Sequence, residues 1–124
     1  MKQAIPCGGR AVTPCMKIRL STGEHGGFGE GRWRLLLAIE REGSLRAAAA
    51  ALDISYRKAW GDLKGAEKAL GIRLIDKDRG GAEHGGTQLT EEGRRVVRSY
   101  GRMVGAMEKA LEKEYSRHFG DFFG

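Results

Sequence analysis

Between Glu42 and Glu67 the chain reads Glu-Gly-Ser-Leu-Arg-Ala-Ala-Ala-Ala-Ala-Leu-Asp-Ile-Ser-Tyr-Arg-Lys-Ala-Trp-Gly-Asp-Leu-Lys-Gly-Ala-Glu, a run that admits little besides two short helices joined by a tight turn. Ser44 is placed to cap the first helix, because its hydroxyl can accept one of the backbone N–H groups that a helix start leaves unbonded. Ala47 to Ala51 follow with the highest helix propensity and no bulk to hold a neighbouring helix at a distance. Leu52-Asp53-Ile54 leaves the helical pattern, and Ser55 is placed to cap a second helix. Its apolar positions Ala59, Leu63, Ala66 and Leu70 form one stripe. At 100° per residue Arg57, Gly61, Lys64 and Lys68 fall opposite that stripe. The pattern is a helix-turn-helix whose second helix has its back in a core and cations on its front, the shape that a DNA major groove accepts.

The remaining sequence fits around this unit. Trp33, Leu36, Leu37 and Ile39 give an earlier helix from Arg32 to about Glu42, ended by Gly43 in a left-handed C-cap. Gly71 ends the second helix of the motif. Ile72–Asp76 reads as a strand, Lys77–Gly86 as a glycine-rich hairpin with Lys77, Arg79 and His84, and Thr87–Thr90 as the returning strand, together a wing. Met16–Leu20 alternates apolar and basic residues and reads as a further strand of the same sheet. Thr90 caps a last helix running to about Arg117, with Glu91 and Glu92 favourably placed against its dipole. Val97, Tyr100, Val104, Met107 and Leu111 repeat along it at 3,4 spacing. At about 40 Å that helix is longer than a body this small can cover, and these five residues are expected to hold two copies together. The fold class expected is mainly α with a small antiparallel sheet. It divides into an N-terminal extension (1–15), a winged helix-turn-helix (16–90), a dimerisation helix (91–118) and an aromatic tail (119–124).

Composition narrows the function. A chain of 124 residues has the length of one domain, and its formal net charge of +6 favours a polyanionic partner. No apolar run approaches the ~20 residues of a membrane span and no signal core is present, so a cytoplasmic protein without membrane contact is expected. Cys7 and Cys15 match no common zinc spacing and read as reduced thiols. Glu-His-Gly-Gly occurs at Glu24–Gly27 and again at Glu83–Gly86. Four ligands on glycine-rich loops lack the supporting shell of a metal site, and we read the recurrence as compositional. No nucleophile, base and orienting residue form a recognisable set, so neither enzymatic activity nor a cofactor is expected.

Three separated motifs, Ser44–Ser55, Leu70–Lys77 and Leu89–Arg95, resemble the winged-helix domain shared by LysR-type and ModE-type regulators. Ile54-Ser-Tyr-Arg-Lys-Ala-Trp60 and the glycine-rich stretch Arg79–Thr90 resemble the molybdate-responsive ModE family in particular, as does a strand ahead of the first helix. The likeness spans about Met16 to Leu111. It implies sequence-specific double-stranded DNA binding and homodimerisation through the last helix. The molybdate-binding domains that follow in ModE regulators have no counterpart before Gly124, so no oxyanion sensing is expected of these residues.

The DNA-contacting residues expected on this basis are Ser44, Ser55, Tyr56, Arg57, Lys58, Gly61, Lys64 and Lys68 from the helix pair, and Arg73, Lys77 and Arg79 from the wing. Arg57 and Lys58 sit in the first turn of the second helix, where members of the family approach base edges; an arginine fork can bond guanine O6 and N7 together, whereas lysine supplies a less directional cation. Trp60 is read as a core residue that sets the helix angle, Arg32 and Arg34 as solvated. Gly61 and Gly65 each weaken the helix by about 1 kcal/mol relative to alanine, which implies a close approach to DNA or to the first helix. The alternative is a winged-helix module that binds a protein of metal metabolism, with the tail Phe119-Gly-Asp-Phe-Phe-Gly124 as contact.

Overall fold

A computed structural model describes residues 12–23, 26–77 and 86–123. Helix α1 (Glu30–Glu42) ends at Gly43, whose φ of 86° is left-handed and whose N–H returns to the Ile39 carbonyl. Helix α2 (Leu45–Ala51) starts from Ser44, whose side chain accepts the Ala47 N–H at 3.0 Å. Helix α3 (Tyr56–Leu70) starts in the same way from Ser55, which accepts the Lys58 N–H at 3.0 Å. Between α2 and α3 the Asp53 N–H bonds the Ala50 carbonyl and the Ile54 N–H bonds that of Ala49. This paired closure places Asp53 in the left-handed region at φ 60°, a conformation that a short polar side chain tolerates better than most.

The core forms where the three helices meet. Leu35, Leu36 and Ile39 of α1, Ala48 and Ala49 of α2, and Ala59, Leu63 and Ala66 of α3 are all buried in one cluster. The small residues on α2 and α3 allow the helices to approach closely, as the alanine run implies. Leu70, at the end of the stripe, is half-buried.

Strands β1 (Ile75–Lys77) and β2 (Thr87–Leu89) pair antiparallel, with Ile75 opposite Leu89, Asp76 opposite Gln88 and Lys77 opposite Thr87. β1 begins three residues later than Ile72. The reason is that the Leu74 and Ile75 amides are drawn to the Glu67 carboxylate, at 2.8 and 3.4 Å, before the ladder starts. The expected turn residues 78–85, including Arg79 and the second Glu-His-Gly-Gly copy apart from Gly86, lie outside the described residues, as do Cys7, Glu24 and His25.

Met16–Leu20 is not a strand of this sheet, which has two strands among the described residues. Its only ladder contact is a bridge in which Leu20 and Phe28 exchange both backbone hydrogen bonds at 2.8 Å. Gly27 closes the bridge at φ 133°, where a Cβ would collide with the Leu20 carbonyl. Residues 12–20 instead form an extended arm along helix α4 (Glu91–Phe119). The Tyr115 hydroxyl donates to the Val12 carbonyl at 2.8 Å and the Tyr100 hydroxyl to the Ile18 carbonyl at 2.7 Å. Residues 12–15, read from sequence as part of a separate extension, belong to this arm. Backbone carbonyls engaged by tyrosines leave the segment tied to a helix, not to a sheet edge.

Thr90 joins the sheet to α4. Its hydroxyl accepts the Gly93 N–H at 2.8 Å and donates to the Arg73 carbonyl at 2.8 Å, while its own N–H bonds the Leu74 carbonyl at 2.9 Å. Gly93 is buried directly against that carbonyl, where a Cβ would overlap it. Gly93→Ala is therefore expected to push α4 away from the Leu74 carbonyl ahead of β1 and cost about 1–3 kcal/mol, measured as a lowered denaturant midpoint with unchanged slope. An unaltered midpoint would show that the junction yields freely.

Candidate nucleic-acid interface

Helix α3 presents the two faces that its sequence implies. Ala59, Leu63 and Ala66 are buried, and Arg57, Gly61, Lys64 and Lys68 are all exposed. Gly61 meets nothing that a side chain would touch, leaving the backbone of the outer face open to close approach. Gly65 has a different reason. The guanidinium of Arg32 lies over it where a Cβ would stand, so of the two approaches expected, Gly65 makes the one to the first helix, α1.

Arg32 is accordingly not a solvated residue. Its side chain, 25% exposed, donates to the Gly27 carbonyl at 2.6 Å and lies 4.0 Å from Asp62. Arg34 is solvated and pairs with Glu30 at 2.8 Å. Trp60 is half-buried against the core, as read, with the Lys64 ammonium 4.7 Å from its ring centroid.

The exposed cations divide into two groups. Lys58 pairs with Asp62 at 3.1 Å, Lys64 with Glu67 at 3.2 Å and Arg73 with Asp76 at 3.1 Å. The Lys58 and Arg73 pairs lie at the surface and are worth about 0–1 kcal/mol each, so these two cations can turn to a phosphate at little cost, whereas the Glu67 side chain that holds Lys64 is only 14% exposed. Arg57 and Lys68 have no acid partner among the described residues. Arg57 thus stands in the first turn of α3 with its whole donor fork open. Ser44 and Ser55 spend one lone pair on their helix caps and keep a hydroxyl hydrogen to donate. Lys77 lies in β1 opposite Thr87.

Sequence reasoning missed two residues here. Arg46 of α2 places its guanidinium 4.6 Å from the ring centroid of exposed Tyr56, joining the outer faces of both helices into one cationic and aromatic surface. Drawing the helical projection used for α3 on α2 as well would have found it, since Arg46 points away from buried Leu45, Ala48 and Ala49. The other is Glu67. Burial raises its carboxyl, but the Leu74 and Ile75 amides and the Lys64 ammonium outweigh burial and hold it below its ordinary value. The carboxylate ties the end of α3 to the first wing strand. Nothing in its sequence context marks it, because the amides it binds lie seven and eight positions away.

Along α4, Val97 and Tyr100 are 5% and 3% exposed and belong to the protomer's own core. Trp33 Nε1 donates to the Val97 carbonyl at 3.0 Å, and the Tyr100 ring packs against Phe28 and Trp33 with centroids 5.3 and 5.5 Å away. Burial, then the charge of Glu30, raises the Tyr100 hydroxyl above its ordinary value. These two residues are therefore unavailable to a second copy, contrary to expectation. Val104 and Leu111 are half-buried and Met107 is 44% exposed. Beyond Tyr100 the helix buries no residue.

The tail folds back on the helix end. Phe119 lies against Tyr115, Phe122 and Phe123 with centroids 5.7, 6.1 and 5.7 Å apart, and all three phenylalanines stay exposed. Among the described residues no helix is long and apolar enough to cross a membrane, and no group of three or more His, Cys, Asp or Glu is placed to hold a metal ion.

Residues 31–94 match the family described as bacterial regulatory helix-turn-helix protein, lysR family. The chain belongs to this family. Among relatives, it is 39% identical over 99 residues to the molybdenum transport protein ModE of Azotobacter vinelandii, covering 80% of this chain and 34% of that protein. It is 34% identical over 84 residues to the molybdenum-pterin-binding protein MopB of Rhodobacter capsulatus, covering 68% of this chain and 31% of the relative. The chain thus spans about a third of the length of these relatives. Among solved structures, the DNA-binding domain of CbnR in complex with DNA superposes with a TM-score of 0.57 at 20% identity, covering 70% of this chain and 94% of that one. The full-length LysR-type regulator LysG of Corynebacterium glutamicum superposes with a TM-score of 0.51 at 26% identity, covering 69% and 28%. These likenesses establish the winged helix-turn-helix fold.

The Glu67 anchor has a pH signature. Because its folded carboxyl lies below the ordinary value of 4.5, its stabilisation is fully present above that pH and is lost as pH falls through the folded value. Glu67→Gln should flatten the acid limb of a stability–pH curve while also lowering stability near neutrality. Parallel acid limbs for both proteins would remove Glu67 from that role.

Proposed function

We propose that this chain is a DNA-binding transcriptional regulator of ModE type that inserts α3 into the major groove. The observation that carries this is Arg57, an unpaired guanidinium in the exposed first turn of a helix whose opposite face is locked into the core. Tyr56 and Arg46 extend that surface across α2. Ser44, Ser55, Lys58, Lys64, Lys68 and Arg73 supply positioning contacts to phosphates, Gly61 admits the backbone closely, and Lys77 and Arg79 continue the phosphate contacts along the wing. The lysR-family match supports the reading, as does the DNA complex of CbnR for the fold. The role is that of a binding protein, not an enzyme, and it is exercised in the cytoplasm.

The protein acts as a homodimer in this proposal. Val104, Met107 and Leu111 lie on the part of α4 where the protomer buries no residue, Met107 exposed and the other two half-buried, and a helix of 29 residues, about 43 Å long, can seat a second copy there. Two α3 helices would then meet successive major grooves roughly 34 Å apart. The exposed cluster of Phe119, Phe122 and Phe123 favours a second reading, contact with another protein at the helix end. Salt-sensitive, sequence-selective duplex binding separates the two.

Arg57→Ala should cost about 1–3 kcal/mol on the preferred site and relax one base position, read by binding to a panel of duplexes at fixed salt. Arg79→Ala should weaken all sequences alike. Loss of neither affinity nor preference in both variants would overturn the assignment of α3. Substituting Val104→Glu and Met107→Glu should shift the protein to monomer in sedimentation at micromolar concentration. A wild-type protein already monomeric there would overturn the dimer.

A further inference from the structure

The arm that the sequence reads as a strand carries two cations, Lys17 and Arg19, for which the helix-turn-helix has no use. Both are exposed, and among the described residues neither pairs with an acid. The arm is held by its backbone: Val12 and Ile18 give their carbonyls to Tyr115 and Tyr100, and Leu20 bridges to Phe28. The aliphatic stem of Arg19 crosses Gly29, where a Cβ would stand 3.2 Å from its Cγ. A segment fixed through its main chain presents its side chains at a defined place without spending them on the fold.

That place borders a cleft of about 840 Å³ between the arm, the start of α1 and α4. Lys17 and Arg19 of the arm, Arg32 and Arg34 of α1 and Lys58 of α3 all line it. Of the acids on the cleft, Glu30 is engaged by Arg34 and Asp62 by Lys58, leaving Glu108. The positive surface of α3 therefore continues past Lys58 to the arm. An α-helix in a major groove about 12 Å wide has a phosphate strand on either side. With Arg57 directed at base edges, the strand passing Lys58 runs toward this cleft. Cations spread over three elements along an open cleft suit an extended polyanion better than a small one, which needs donors converging on a point.

We propose that Lys17 and Arg19 of the N-terminal arm bind the phosphate backbone of duplex DNA flanking the bases read by α3. The inference rests on the DNA-binding reading above and adds a second contact to it. The arm lengthens the footprint, and adds affinity without adding sequence preference.

The test compares two duplexes sharing a central site, one with long flanks and one trimmed to the bases facing the two α3 helices. Lys17→Gln/Arg19→Gln should lower affinity several-fold on the long duplex and reduce the slope of log K against log salt by about 2 to 4 for the two arms of a dimer, since each phosphate contact contributes about 0.9. Base preference and binding to the trimmed duplex should not change. Lys17→Glu/Arg19→Glu should weaken the long duplex further, and both variants should melt like the wild type, because the arm's anchoring bonds come from backbone carbonyls. An unchanged salt slope on the long duplex, or an equal loss on both duplexes, overturns the proposal. Arg57→Ala on the same duplexes separates the two failures. Loss with this variant but none with the arm variants removes the arm contact alone, and a wild type that binds neither duplex removes both.

Discussion

The placement of α3 depends on alanine packed against its neighbours. Ala48 and Ala49 on α2 and Ala59 and Ala66 on α3 are each at most 2% exposed, and no larger side chain there could let the two short helices lie so close. α2 has only seven residues, too few to be stable in isolation. Its helical state is sustained by this contact, by the Ser44 cap and by the paired closure over Asp53. The stripe that buries α3 also decides which residues face outward, so the cationic front is a consequence of the core. A bulky residue at Ala59 or Ala66 would displace Arg57 and Lys58 without touching either.

Two further ties convert a positioned helix into a positioned surface. Glu67 bonds α3 to the start of β1 through the Leu74 and Ile75 amides. Thr90 and Gly93 then bring the second wing strand and α4 against the same Leu74 carbonyl. Leu74 is fully buried and sits at the crossing of all three elements. The exposed face of α3 and the paired strands β1 and β2 are thereby tied to one another through Leu74, the kind of preorganisation that a surface made of exposed side chains otherwise lacks.

Helix existence, both serine caps, the buried stripe of α3 and the paired strands of the wing were legible because each rests on local chemistry: propensity, capping and period. Arg57, Lys64 and Lys68 were legible as exposed for the same reason, since helical period assigns a face once the buried stripe is known. What escaped depended on partners distant in the chain. The alternation of Met16–Leu20 is what a strand shows, yet in the arm only Ile18 is half-buried, its carbonyl taken by the Tyr100 hydroxyl, while Met16 and Leu20 stay exposed. The 3,4 repeat of α4 marks a buried face without saying whether the cover is its own domain or another copy. Val97 and Tyr100 are covered from within, by Trp33 and Phe28.

The sequence by itself determined which segments are helical, where the capped helices α2, α3 and α4 start, and which side of α3 is cationic, because those properties are set within one or two turns of chain; α1, which has no side-chain cap, starts at Glu30, two residues before the expected Arg32. Tertiary structure alone decided that Arg32 lies over Gly65, that Glu67 anchors the wing, that Arg46 joins the α3 surface through Tyr56, and that the arm lies on α4. Each of these is a contact between residues brought together only after the helices pack. Their energies come from hydrogen bonds and buried area whose partners no local pattern can name.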